Sequence, residues 1–151
     1  MSEQQQHAFL LSPSDWLGEG KIQLSMVEEE LPFHTRWTAT KKNPSGLIEC
    51  LQEIQIKGLS DVMQNQFALF DFTVNNFLIE LENLTLGKVT GKGIIKDKLI
   101  AWEFRAADIG FEGYEFYEKQ SDGTYIMCGE YATSDQLRTT IKGKIWRKNL
   151  S

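Results

Sequence analysis

Cysteine, histidine and proline are scarce in this chain, and each scarcity excludes something. Cys50 and Cys128 are the only cysteines, too few for a disulfide framework and too far apart for a CxxC metal or redox site. The start, Met-Ser-Glu-Gln-Gln-Gln-His, has no basic flank and no apolar stretch before a small-residue cleavage site. A cytoplasmic protein with two reduced, structural thiols is therefore expected. His7 and His34 are the only histidines. One lies in the polar N-terminal segment and the other on a polar strand phase, so both are expected to be solvated, with no metal site and no cofactor. No run approaches the roughly 20 apolar residues of a membrane helix. Excess positive charge is lacking too: 16 Lys and Arg face 21 Asp and Glu, a net charge of −5 with pI ≈ 5.1. That disfavours nucleic acid as a partner. G-x-S-x-G, the P-loop, G-x-G-x-x-G and H-E-x-x-H are all missing, and with no nucleophile or acid/base pair in view the balance leans away from an enzyme.

What is present is an ordinary globular composition, 41% hydrophobic and 25% charged, enough apolar surface for one core. Helical periodicity is almost absent, whereas period-two alternation recurs from Trp16 to the end. Trp16, Ile22, Leu24 and Met26 share one phase of the first segment, with Glu19, Lys21, Gln23 and Ser25 on the other. Phe33, Thr35, Trp37 and Ala39 alternate with His34, Arg36, Thr38 and Thr40. Ile48, Cys50, Ile54 and Ile56 alternate with Glu49, Glu53 and Lys57, although Leu51 breaks the outer phase. Further strands are expected near 62–73, 76–85, 88–96, 98–107, 111–120, 123–132 and 136–148. Turn residues separate them, among them Asn43-Pro44-Ser45-Gly46, Lys57-Gly58, Ser121-Asp122-Gly123 and Ser134-Asp135. About ten short strands joined by tight connections predict an all-β, antiparallel up-and-down meander, and closure into a barrel would remove its edges. Residues 1–12 read as an N-terminal tail whose Phe9-Leu10-Leu11 can dock on the barrel's end, and 13–151 as a single barrel domain. A single helical turn is conceivable at Glu28-Glu29-Glu30, before Pro32.

The strand count, the meander and an opening strand Trp16-Leu17-Gly18-Glu19-Gly20 resemble the calycin superfamily of lipocalins, fatty-acid-binding proteins, avidins and nitrobindin-like barrels. The resemblance implies a closed lipocalin-like barrel with a ligand inside. The lipocalin Gly-x-Trp opening is reversed here, and no long helix follows the last strand. Residues 27–32 are too few for the helical pair of fatty-acid-binding proteins. The lidless, nitrobindin-like type holds haem through a late histidine, and this chain's two histidines are early, so haem ligation is not implied.

The candidate binding residues come from the phases assigned to the interior. Trp37, Gln52, Gln64, Gln66, Trp102, Phe104, Tyr125 and Tyr131 would line a pocket for a small apolar or amphiphilic ligand, with Phe70, Phe72, Phe77, Thr35 and Thr139 beside them. Aromatic walls with a few uncharged polar groups suit such a ligand. They equally suit a filled barrel, which would act as an interaction module through an outer face. Two outer features could serve that alternative. The last strand presents Arg138, Thr140, Lys142, Lys144, Trp146 and Lys148, a basic ribbon that glutamates such as Glu19 would offset. Segment 111–119 carries aromatics on both phases, Phe111 and Tyr117 on one and Tyr114 and Phe116 on the other, so one pair must face out, as a homodimer contact would. The pairs Gly18/Gly20 and Gly91/Gly93 read as bends or bulges in strands rather than phosphate cradles.

Overall fold

A computed structural model describes residues 7–133 and 138–148. Ten antiparallel strands follow in chain order: β1 (Ser14–Leu24), β2 (Leu31–Ala39), β3 (Ile48–Ile56), β4 (Met63–Phe70), β5 (Asn76–Asn83), β6 (Gly87–Lys96), β7 (Leu99–Ala106), β8 (Phe111–Lys119), β9 (Tyr125–Ala132) and β10 (Arg138–Arg147). Each pairs with its sequence neighbours, and β1 pairs with β10, so the sheet closes into a barrel. This is the all-β meander the alternation predicts. The helical turn conceived at Glu28–Glu30 does not form, and a short 3₁₀ turn appears at Ala107–Ile109 instead. Met26 lies beyond the end of β1 and is exposed.

The turns form where local chemistry dictates. In the β2–β3 connection the Asn43 side-chain oxygen accepts from the Ser45 and Leu47 amides at 3.0 and 2.9 Å. Gly46 takes the left-handed conformation there, with φ 86°, a region that glycine enters without steric cost. The Ser134-Asp135 turn lies outside the described residues.

One phase of every strand faces the core, and the phases lock through register. Trp16 opposes Trp37, Cys50 opposes Phe67, Leu69 opposes Ile79, and Tyr117 opposes Met127. Each large side chain buried this way contributes about 1.5–3 kcal/mol relative to exposure. The β1 and β6 ladders run unbroken through Gly18, Gly20, Gly91 and Gly93, so these positions are not bulges. They face inward beneath bulky neighbours: a Cβ at Gly93 would sit 2.1 Å from the Phe77 ring. Glycine is there because a ring or a backbone carbonyl already fills the space. Cys50 and Cys128 are free thiols, and burial pushes Cys50 up to about 12, so it packs as a small hydrophobe.

Residues 7–12 form no strand and pack into one end of the barrel. Phe9 and Leu10 are fully buried and Leu11 half-buried. His7, expected in solvent, is buried as well. Its Nε2 faces the Lys96 carbonyl at 2.5 Å and must donate to it. In the neutral ring Nδ1 then accepts from the Tyr125 hydroxyl at 2.7 Å. Residues 1–6, the rest of the expected tail, lie outside the described residues.

Candidate functional site

The two barrel ends differ. At the stoppered end, Phe9 stands at the centre of four rings, 5.3 Å from Trp16, 5.6 Å from Trp37, 4.8 Å from Tyr117 and 5.2 Å from Tyr125, centroid to centroid. At the opposite end, inward positions such as Asn65, Asn83, Tyr131 and Thr139 stay only half-buried. The loops of that second end, 25–30, 57–62, 84–86 and 107–110, form a rim. Met26, Val27, Leu59, Val62, Met63, Leu84 and Ile109 lie on or beside it, which places there seven of the eleven large hydrophobic residues exposed among the described ones. Such a concentration is an apolar patch, not scatter.

Between the two ends the interior is polar in an unusual way. Trp37 (β2), Trp102 (β7), Glu115 and Tyr117 (both β8) converge from different walls. Trp102 opposes Glu115 across the β7–β8 ladder. The Trp37 and Trp102 rings are 6.1 Å apart, and Trp102 and Tyr117 are 5.2 Å apart. Gly129 opposes Glu115 from β9, and a Cβ there would lie 2.8 Å from Glu115 Cγ, so the glycine leaves the room that this side chain occupies. Four buried polar atoms have no hydrogen-bond partner among the described residues: Trp37 Nε1, Trp102 Nε1, Glu115 Oε2 and Tyr117 Oη. Burial pushes the Glu115 carboxyl from 4.5 up to about 7, while the nearby Tyr131, Trp102 and Tyr117 donors pull it back. Burial likewise drives the Tyr117 and Tyr131 phenols well above their ordinary value, with the Glu115 charge adding to the shift.

The raised carboxyl has a consequence for stability. Between about pH 4.5 and about pH 7 the folded chain keeps a proton on Glu115 that the unfolded chain releases. Its contribution is therefore complete below pH 4.5 and lost as pH rises through 7. Relative to Glu115→Gln, the wild type is expected to lose on the order of 2–3 kcal/mol over that interval. Urea unfolding of both proteins across the range checks this, and parallel curves would show that Glu115 titrates normally.

Of the candidate residues from the sequence, Trp37, Gln52, Trp102, Phe104, Tyr125 and Tyr131 fall on inward phases. Gln64 and Gln66 are a correction: both point outward and are exposed. The register Cys50↔Phe67 and Ile48↔Leu69 directs Asn65, Phe67 and Leu69 inward instead. Phe70 shares the outer phase with the two glutamines. Asp71, at φ 52°, then turns the chain, so Phe72 leaves that phase and stacks on Phe77 at 5.7 Å. Gln64 and Gln66 line a recess of about 660 Å³ at the rim, where the β4–β5 ladder stops at Gln66↔Glu82 and the strands splay. Inside that splay an amide chain joins three strands. Asn83 donates to Asn65 at 2.9 Å, and Asn65 donates to Gln52 at 3.1 Å.

Sequence reasoning missed Glu115, although its parity with Phe111 and Tyr117 was a usable signal. The outer features fall where expected. Lys142 and Lys144 point outward, with Glu19 opposite Lys144. Tyr114 and Phe116 are the outer aromatic pair, with parallel rings 6.4 Å apart. No cluster of three or more His, Cys, Asp or Glu that could hold a metal occurs among the described residues, nor does a helix long and apolar enough to cross a membrane.

The architecture is that of a closed, ten-stranded antiparallel meander barrel stoppered at one end. Among solved structures the chain is similar to the S-type phycobiliprotein lyase CpeS from Guillardia theta, with a TM-score of 0.70 over 100% of this chain and 95% of that one. Sequence identity is 9%, so the likeness is one of fold. A provisionally named AttH from Nitrosomonas europaea aligns over 95% of this chain and 53% of its own, at 13% identity and a TM-score of 0.37. No family model and no curated protein sequence matches the chain.

Proposed function

We propose that this is a calycin-like binding protein that holds one small, largely apolar ligand inside the barrel, entering at the rim end. The observation that carries the reading is the set of four partnerless polar atoms around Glu115. A buried donor or acceptor without a partner costs about 1–3 kcal/mol, and native interiors leave few such groups unless something occupies the site. A bound molecule with polar groups at its inner end would satisfy several of them at once. The apolar rim supports the same reading, since it suits the passage of an apolar body. A barrel of this architecture is also the scaffold of a phycobiliprotein lyase, and barrels of this size either fill with side chains or hold one small ligand. No catalytic group is assigned.

The test is a titration with all-trans-retinol, followed by quenching of tryptophan emission. Saturable binding near one-to-one is expected, and Trp102→Phe, which keeps a ring but removes the indole N–H, should weaken it several-fold, the loss of roughly one buried hydrogen bond. A linear, unsaturable response in the wild type would remove this reading. A second reading, docking through the outer face, rests on the half-exposed Tyr114 stacked on Phe116. Homodimerisation in sedimentation equilibrium is the measurement that would favour it.

A further inference from the structure

Glu115 differs in kind from the other polar groups of the interior. It is 4% exposed and is the one buried carboxylate among the described residues. No ion pair of the described residues includes it. Every neighbour that faces it is neutral: Trp102 from β7, Tyr117 beside it on β8, Tyr131 from β9, and Trp37 next to Tyr117 from β2. A carboxylate taken out of water is costly unless a cation or several well-placed donors meet it; its nearby donors are all neutral, and no lysine or arginine of the described residues reaches it.

From this we infer that the ligand presents a protonated nitrogen, an amine or a protonated ring nitrogen, to Glu115 at the inner end of an apolar body. The inference rests on the interior-binding reading above and names its ligand class. A cation beside Glu115 would hold the carboxylate ionised. An ionised carboxylate offers about four lone-pair sites and no donor. One site would take the incoming N–H, and the rest would strengthen as acceptors for the Trp102 indole N–H and the Tyr117 hydroxyl, which lie near the carboxyl without reaching full hydrogen-bond geometry. One charge would thus satisfy several orphaned groups, through hydrogen bonds of the stronger, charge-assisted kind.

The rim gives independent support. Its described loops carry Glu28, Glu29, Glu30, Asp61 and Asp108 against the single cation Lys57. Such a mouth draws cationic molecules and repels anionic ones. An apolar patch studded with carboxylates fits a cationic amphiphile, whereas it would turn away a fatty acid.

Three probes that share one ring system separate the possibilities: 9-(aminomethyl)anthracene, 9-(hydroxymethyl)anthracene and 9-anthracenecarboxylate, each titrated at neutral pH and in competition with retinol. The amine is expected to bind roughly tenfold or more tighter than the carboxylate, a difference of about 1.4 kcal/mol or more. In Glu115→Gln, which is nearly isosteric, that preference of amine over carboxylate should collapse. Equal binding of all three, or tighter binding of the carboxylate, would overturn the amine inference and leave interior binding standing. An amine preference that survives Glu115→Gln would also overturn it and assign selection to the rim. If retinol binds but no probe binds saturably or displaces it, the amine inference fails and interior binding stands; if neither retinol nor any probe binds saturably, both fail. The wild-type series decides even where the variant does not fold.

Discussion

Phe9→Ala is expected to destabilise the protein by about 3–5 kcal/mol, as large a loss as a core aromatic gives. Phe9 precedes the first strand, yet it is fully buried and meets Trp16 and Trp37 edge to face at interplanar angles of 79° and 82°. Aromatic pairs of this geometry contribute about 0.5–1.5 kcal/mol each beyond their buried area. The segment cannot relax into the cavity, because Leu10 is buried behind it and His7 is tied to Tyr125 and Lys96 on the far wall. Leu11→Ala, at a half-buried position, is expected to lose much less. Urea unfolding of both variants gives the comparison. A loss below about 1 kcal/mol for Phe9→Ala, the range of surface substitutions, would mean that the stopper is not seated in solution.

Gly20→Ala is expected to cost about 3 kcal/mol or more, at or beyond the upper end of the overpacking range. In a strand interior alanine is ordinarily the better residue by about 0.5–1 kcal/mol, so the effect predicted here has the opposite sign. The reason is the seam. Gly20 pairs with Gly143 where β1 meets β10, and a Cβ there would lie 2.0 Å from the Lys142 carbonyl oxygen and 2.6 Å from Gly143 Cα. Both are backbone atoms that cannot rotate aside, so the two strands must part and the barrel opens at its closing ladder. Gly93→Ala makes the useful comparison. The nearest atoms there belong to the Phe77 ring, which can swing, so its loss should be smaller. A neutral or stabilised Gly20→Ala protein would show that the seam is looser than described.

Much of this architecture was legible because its determinants are local. Strand identity follows from period-two alternation, and turns follow from asparagine, aspartate and glycine chemistry at positions such as Asn43 and Gly46, so neither needs knowledge of distant contacts. Trp37, Trp102 and Phe104 were placed inward correctly because each sits on a strand with one apolar and one charged phase. Strand β4 lacked that contrast. Met63-Gln-Asn-Gln-Phe-Ala-Leu-Phe70 carries an amide and an aromatic on either phase, and only the register with Cys50 and Ile48 decides between them.

The remaining features belong to the tertiary structure. Docking of Phe9 is legible as an apolar trio in a polar tail, but its seat is not, and His7 looks solvated, because the rings, hydroxyl and carbonyl that receive them lie as far along the chain as Tyr125 and Lys96. Glu115 looks like one of many surface glutamates, since alternation alone does not forbid a carboxylate on an inward phase. Only the closed barrel puts it opposite Gly129, against Trp102 and Tyr117, with no cation of the described residues in reach. Local sequence therefore determined the strands, the turns and most of the facing. Closure decided the stopper, the β4 phase and the unpaired carboxylate, because burial and charge pairing are properties of residues brought together from distant strands.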